Sequence, residues 1–156
     1  MDPAAVADYR AATEEFLAAA STADAARLDR RERGGWSARQ VIHHVADAEA
    51  QSYARLRRLL AEPGTLIQGY DESAWAACPA LGYGELPVGP ALEVIRALRA
   101  STADLLERLS PADLALEGRH SESGAYGVAT WLETYTRHPR EHARQLAEAL
   151  AAPERR

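Results

Sequence analysis

The sequence predicts an all-α protein, a four-helix bundle with long connecting loops. Its 156 residues suit one domain, residues 1–156, which is long enough to bury a sizeable core. Alanine and leucine dominate, Val and Ile are scarce and Phe occurs once, and such a composition favours helix over sheet. Four long segments carry apolar residues at helical spacing, and no segment convincingly resembles a strand.

The first two helices begin at recognisable capping residues. Asp2 and Pro3 are typical of a cap followed by a first helical residue, so the first helix is expected to start there. The second helix is predicted over about residues 36–60, where Ser37 and Gln40 have the spacing of a capping box. Apolar residues recur along one face of each segment, as an amphipathic helix requires.

Two connections and two further helices complete the predicted bundle. Residues 65–89 form a long connection, and loops of this length in a small domain are often functional. The third helix is predicted over residues 90–109 and is followed by a capped single turn at 110–114. Residues 117–127 are interpreted as a second polar connection before the last helix, residues 128–150.

Charge and composition exclude several classes of function. The chain has 18 basic and 23 acidic residues, a net charge of −5, and no basic stripe with interleaved aromatics, so nucleic acid is not an expected partner. Arg55, Arg57 and Arg58 form a local cluster that is typical of a solvated helix face. No segment approaches the ~20 apolar residues of a membrane span, and no signal-peptide pattern is present. Cys78 is the only cysteine, so no internal disulfide can form, and we expect a cytoplasmic protein without membrane contact.

Three histidines fall on helix faces that are expected to point inward. His44 lies among the apolar residues of the second helix, whereas His43 is rotated about 100° away. His138 and His142 are four residues apart in the last helix and therefore share one face. Two imidazoles at this spacing can hold one metal ion, and His44 from a facing helix would supply a third ligand. Three histidines leave a coordination position for water or substrate, as in catalytic sites.

The same histidines also have a simpler interpretation as core residues satisfied by hydrogen bonds, since HxxxH pairs often occur by chance.

Pro139 complicates the site, because it cannot donate to the carbonyl of Tyr135 and costs about 3 kcal/mol or more in a regular helix. Either the helix kinks there or a new helix begins at Pro139.

The run from His138 through Glu141 to His142 formally matches the H-x-x-E-H of inverted zinc peptidases. Those enzymes need a further ligand far downstream, and only 14 residues of the 156 follow His142.

Three stretches give the chain a resemblance to a known family. They are GGWSARQVIHHVADAEAQSYARLRRLLAE from residue 34, YDESAWA over residues 70–76, and H-x3-H-x2-Q over residues 138–145. Together they resemble the DinB/YfiT superfamily, and most closely its YfiT-like branch of metal-dependent hydrolases, since reinterpreted as bacillithiol S-transferases. The resemblance extends over residues 34–150. The chain departs from the family pattern at Pro139 and at Ala48-Glu49, where relatives can carry Ser-His.

The resemblance implies a DinB-like bundle that holds a divalent metal, zinc or nickel. By matching positions the ligands are His44, His138 and His142. The implied function is a metal-dependent thiol S-transferase that conjugates a low-molecular-weight, bacillithiol-like thiol to electrophiles, so the expected partners are a small-molecule thiol and an electrophile. A homodimer is compatible with such a bundle, because bundles of this kind often dimerise.

Two other functions remain open at this stage. The first is a metal-dependent hydrolase in which the metal activates water, with Glu141 or Asp47 as candidate bases. The second is a non-enzymatic, metal-binding stress protein. Arg39, Arg140 and Arg144 are candidates for binding the carboxylates of a thiol, although surface arginines are the simpler interpretation.

Overall fold

Four long helices form the bundle that the sequence predicts. The structure is a computed structural model and describes residues 1–153. Its helices have the following bounds: α1 Pro3–Ser21, α2 Ala38–Ala61, α3 Glu72–Ala77, α4 Val88–Glu107, α5 Pro111–Leu114 and α6 Val128–Ala151. Helix α1 packs against α4 and α6, and α2 packs against the same two helices. The short helix α3 lies in the long connection that the sequence analysis left without an element.

Local capping explains where the first helices begin. The side chain of Asp2 accepts a hydrogen bond from the backbone N–H of Ala4, at 2.9 Å, and α1 starts at the proline between them. Both bonds of the predicted capping box are present at α2, because Ser37 and Gln40 each accept from the other's backbone N–H. Helix α4 begins at Val88, two residues earlier than predicted.

A small sheet corrects the prediction that residues 117–127 are only a polar connection. Strands β2 Glu117–His120 and β3 Gly124–Gly127 form an antiparallel hairpin, and β1 Leu66–Ile67 pairs with β2 in parallel. Four residues or fewer per strand are too short to show an alternating apolar pattern, so periodicity did not reveal them. Gly124 closes the hairpin turn at φ 83°, which glycine adopts readily. His120 lies in β2 with its ring centroid 5.5 Å from that of Tyr126.

The core consists of two hydrophobic clusters with polar residues between them along the helices. The first cluster contains Phe16, Leu17, Val41, Ile42, Val45, Ile95, Leu146 and smaller neighbours. The second contains Val6, Tyr9, Leu56, Leu59, Leu106, Trp131, Tyr135 and others. Each long helix places at least one buried or half-buried polar residue between its contributions to the two clusters: Thr13, Glu49, Arg99, His138 and His142. This polar layer includes two of the three histidines that the sequence predicts as metal ligands.

A helix that crosses a lipid bilayer must be long and predominantly apolar. Within residues 1–153, none of the helices combines the length and the apolar character that crossing a bilayer requires.

Candidate metal centre

The structure brings together the three histidines that the sequence predicts as metal ligands. The Nε2 atom of His142 lies 3.0 Å from that of His138 and 3.2 Å from that of His44. One ring nitrogen from each residue lies within 4.8 Å of the other two. Helix α6 continues through Pro139, so the spacing of four residues still places two rings on one face. We call these three residues the histidine cluster.

Hydrogen bonding alone does not account for the histidine cluster. The Nδ1 atom of His142 lies 2.7 Å from Oε1 of Gln145, an acceptor, so Nδ1 carries the proton. In a neutral ring, Nε2 of His142 then has a single lone pair, which can accept a hydrogen bond from only one of its two close neighbours. At least one of the short N···N contacts is therefore unfavourable without a shared cation. A metal ion would satisfy all three nitrogens together, which is why the residues fit such a group.

Burial keeps these imidazoles neutral, the form that binds metals. Burial, and secondarily the adjacent His142, lowers the pKa of His44 to about 3. Burial likewise lowers the pKa of His138 well below its ordinary value, with further lowering from the neighbouring rings. The pKa of His142 is also lowered by burial, although its contact with Gln145 opposes the shift. All three rings therefore present lone pairs at neutral pH.

Support for the rings from neighbouring side chains is uneven. Gln145 fixes the ring of His142, as an outer hydrogen bond commonly does for a metal ligand. The Nδ1 atoms of His44 and His138 are buried without a hydrogen-bond partner in the described part of the chain. Asp47, one turn after His44 in α2, accepts a hydrogen bond from the hydroxyl of Tyr83.

The two candidate bases lie outside the histidine cluster. Glu141 forms an ion pair with Arg137 at 3.0 Å, and its side chain is half-exposed. Asp47 is bonded to Tyr83, and neither carboxylate belongs to the group of ligand atoms that converge. His43, rotated about 100° from His44 on α2, lies with Nε2 3.1 Å from the carbonyl oxygen of Leu86.

A carboxylate that the sequence analysis did not single out lies closer to the cluster. Oε2 of Glu72 is 3.9 Å from Nε2 of His44, and its side chain is half-exposed. Burial of the remaining half raises the pKa of this carboxyl. Glu72 is the first residue of α3, which begins because Asp71 accepts a hydrogen bond from the backbone N–H of Ala74, at 2.9 Å. The available signal was its place within the YDESAWA stretch of a long connection.

The chain is similar in sequence to known proteins. The sequence model of the DinB superfamily matches residues 8–146. The chain belongs to the DinB superfamily. It is 38% identical over 109 residues to a protein of Oceanobacillus iheyensis named a putative metal-dependent hydrolase, a match that covers 70% of this chain and 62% of that relative. A protein of Bacillus mycoides with the same description is 35% identical over 133 residues, 85% of this chain and 75% of the relative.

A solved structure has the same fold as this chain. YfiT from Bacillus subtilis, described as a probable metal-dependent hydrolase with an unusual four-helix bundle topology, superposes with a TM-score of 0.84. The alignment covers 93% of this chain and 83% of YfiT at 24% identity. The four-helix bundle is therefore confirmed. The metal-dependent DinB relatives and the histidine cluster together support a divalent metal in this protein.

A cavity beside the histidine cluster offers space for a small molecule. It measures about 400 Å³, and its walls include Arg31, Trp36, Gln40 and Ser73. The ring centroid of Trp36, one of these wall residues, lies 4.8 Å from that of His44, so the cavity adjoins the cluster at this indole. Helix α3, which also carries Glu72, supplies another part of the wall.

The arginines proposed to bind a thiol are engaged elsewhere or lie elsewhere. Arg39 pairs with Asp29 at 2.7 Å, and Arg140 forms ion pairs with two carboxylates of α1. Arg144 lines a different cavity, formed by α1, α5 and α6. Arg31 is the arginine that borders the cavity next to the cluster.

Proposed function

We propose that this DinB-superfamily protein is an enzyme that transfers a low-molecular-weight thiol to an electrophile at a zinc or nickel ion. His44, His138 and His142 would be the ligands. The observation that carries the proposal is the convergence of three neutral imidazoles whose contacts hydrogen bonding does not explain. A divalent ion held there would supply Lewis acidity: it would lower the pKa of a bound thiol, so that a thiolate nucleophile would be available near neutral pH.

The protein residues would orient the reactants around this position. The indole of Trp36 packs against the ring of His44 and would help to fix its orientation. Gln145 holds the ring of His142 with its Nε2 toward the cluster. The half-exposed carboxylate of Glu72 lies 3.9 Å from Nε2 of His44, where it could accept a hydrogen bond from an incoming thiol or water. No side chain needs to act as a nucleophile.

The cavity beside the cluster would hold the remainder of the thiol. A bacillithiol-like thiol carries carboxylates, and the guanidinium of Arg31 at the wall suits such groups. Ser73 in α3 also lines the cavity, and its hydroxyl adds a hydrogen-bonding group. The cavity volume of about 400 Å³ falls within the range of ordinary ligand pockets.

Hydrolysis is the second candidate, because the relatives from Oceanobacillus iheyensis and Bacillus mycoides are described as metal-dependent hydrolases. In that reaction water would take the place of the thiol. Glu72, at 3.9 Å from His44, is better placed to orient this water than Glu141 or Asp47, whose carboxylates are bonded to Arg137 and Tyr83.

One comparison of activities tests the proposal. The protein, loaded with zinc or with nickel, is offered a thiol with a chromogenic electrophile and, separately, ester and amide substrates. We expect thiol-dependent adduct formation that is lost in His44→Ala. His43→Ala is the matched control, because this neighbouring histidine contacts Leu86 rather than the cluster, and it should retain the activity.

Other outcomes would contradict thiol transfer. Turnover of esters or amides without thiol, lost in His44→Ala, would establish the hydrolase instead. Tight metal binding without either activity would favour a non-enzymatic metal-binding protein.

A further inference from the structure

Pro139 creates a defect in the helix that carries two of the three histidines. It is buried in the middle of α6, between His138 and His142. In a regular helix the N–H of residue 139 would donate to the carbonyl oxygen of Tyr135, but proline has no N–H. A buried carbonyl without a donor is unfavourable, so the structure must satisfy this oxygen in another way.

Arg99 supplies the missing donor from a different helix. Its Nη1 atom donates a hydrogen bond to the carbonyl oxygen of Tyr135, at 3.1 Å. The same nitrogen donates to Oε1 of Glu49 in α2, at 2.7 Å, and both side chains are fully buried. The guanidinium from α4 therefore supplies a hydrogen-bond donor at the turn of α6 where Pro139 lacks one.

The remaining nitrogens of Arg99 hold the guanidinium in place. Nε donates to the hydroxyl of Thr13, and Nη2 donates to the carbonyl oxygen of Tyr9, at 3.1 Å. The guanidinium carbon also lies 3.8 Å from the ring centroid of Tyr9. Together with Glu49, these contacts connect all four long helices through one side chain. We call this group, Arg99 with its partners, the arginine cluster.

A buried ion pair needs a reason other than stability. Desolvation of the two charges often cancels their attraction, and replacement of such a pair by apolar residues is frequently neutral or stabilising. Retention of the pair is better explained when it fixes a particular arrangement of the chain. Here the arrangement that Arg99 fixes is the turn of α6 from Tyr135 to Pro139, which carries His138 and leads to His142 one turn later.

We propose that Arg99 is a positioning residue of the metal centre. By donating to the Tyr135 carbonyl it replaces the hydrogen bond that Pro139 cannot make, and it thereby sets the relative positions of His138 and His142. This inference rests on the three histidines as metal ligands, but it does not depend on whether the reaction is thiol transfer or hydrolysis.

Cobalt(II) is a suitable probe, because its visible absorption responds to the geometry of its ligands. The ion pair is removed as a unit in the variant Glu49→Leu/Arg99→Met, which leaves no unpaired buried charge. We expect this variant to fold, to bind cobalt about 10- to 100-fold more weakly, as loss of outer support for ligands typically does, and to show a changed absorption spectrum.

Restoring the helix hydrogen bond distinguishes positioning from a general effect on the fold. Adding Pro139→Ala to the variant returns an N–H that can donate to Tyr135. We expect the triple variant to recover the wild-type cobalt spectrum and most of the lost affinity. Pro139→Ala alone, with Arg99 present, should leave both nearly unchanged. No recovery in the triple variant, or wild-type binding in a folded Glu49→Leu/Arg99→Met, would refute the inference.

A second variant keeps the test valid if the double substitution prevents folding. Arg99→Lys keeps the charge beside Glu49 but has a single nitrogen for the acceptors that the guanidinium serves. Its effect on cobalt affinity and spectrum should be larger with Pro139 present than in the Pro139→Ala background. Equal effects in both backgrounds would show that Arg99 does not act through this turn.

Wild-type protein and His44→Ala, measured alongside, separate the two proposals. If wild-type protein binds no cobalt, the metal centre and the role of Arg99 both fail. If wild-type protein binds cobalt and the Arg99 variants behave like it, only the role of Arg99 is wrong.

Discussion

The arginine cluster and the histidine cluster lie in the same bundle, and they handle buried polar groups in opposite ways. All three guanidinium nitrogens of Arg99 have acceptors, on Thr13, Glu49 and two carbonyls. In the histidine cluster two Nδ1 atoms have no partner among the described residues, and three Nε2 atoms crowd one another. A complete network indicates a structural role, whereas an incomplete one indicates a group that is supplied from outside the chain.

This comparison also separates stability from function. Removal of one charged partner of the arginine cluster leaves the other buried and unpaired, which destabilises the folded chain. The histidine cluster carries an unfavourable arrangement in the metal-free protein, and the ligand offsets it on binding. Substitutions in the two clusters should therefore have effects of opposite sign on the stability of the metal-free protein.

The largest effect is expected when one partner of the arginine cluster is removed. Glu49→Ala leaves the charge of Arg99 buried and unpaired, which typically costs about 3–5 kcal/mol. Urea denaturation of the metal-free protein measures the loss. Glu141→Ala is the control, because its exposed ion pair with Arg137 is worth about 1 kcal/mol or less. Similar losses in the two variants would contradict the structural role assigned to the arginine cluster.

A pH dependence of intermediate size is expected from the histidine cluster. Burial lowers the pKa of His44 to about 3 in the folded state, whereas an unfolded histidine titrates near 6.5. Below that pH the unfolded chain binds the proton and the folded chain does not, so stability falls as pH decreases. The contribution of His44 is about 1.4 kcal/mol for each pH unit once the unfolded histidine is largely protonated.

The contribution is measured as a difference between wild-type and His44→Leu metal-free protein, since groups away from the histidine cluster titrate equally in both. The variant also lacks the lowering of the His138 pKa by His44, which adds to the difference in the same direction. Between pH 7 and pH 5 wild-type protein should lose more stability than the variant. Parallel curves would show that His44 is not held neutral by burial.

The smallest effect has the opposite sign to that of Glu49→Ala. His44→Leu replaces a buried imidazole whose Nδ1 has no partner, and an unsatisfied polar group costs roughly 1–3 kcal/mol. We therefore expect the variant to be about 1 kcal/mol more stable than wild-type protein without metal at pH 7. Thermal unfolding with and without zinc measures it, because zinc should raise the melting temperature of wild-type protein only. Destabilisation of the metal-free variant would place His44 among the structural core residues.

The sequence was most informative where the signals are local. Ser37 and Gln40 predicted the start of α2, and both bonds of their capping box are present. Helical spacing placed His44, His138 and His142 on inward faces, and the structure brings their rings together. The short strands were not predicted, because they are defined by their pairing with one another and not by an apolar pattern in their own sequence.

Residues that depend on tertiary contacts could not be recognised in the same way. Arg55 was assigned to a solvated helix face, yet it donates to the hydroxyl of Tyr135 and to the carbonyl oxygen of Gln68. Arg99 and Glu49 are 50 residues apart, and an isolated charge in a helix normally predicts exposure. Glu72 approaches His44 only because of the path of the long connection, which no local pattern determines.

The division of the core into two apolar clusters has an evolutionary consequence. Phe16 and Leu146 belong to one cluster, and Leu56 and Trp131 belong to the other. The three histidines belong to neither cluster, so the apolar packing does not depend on their imidazole rings. Descendants of this chain can therefore exchange ligands, and with them the chemistry, while the anchoring apolar contacts persist. Diversity of reaction on a constant scaffold is what such an arrangement permits.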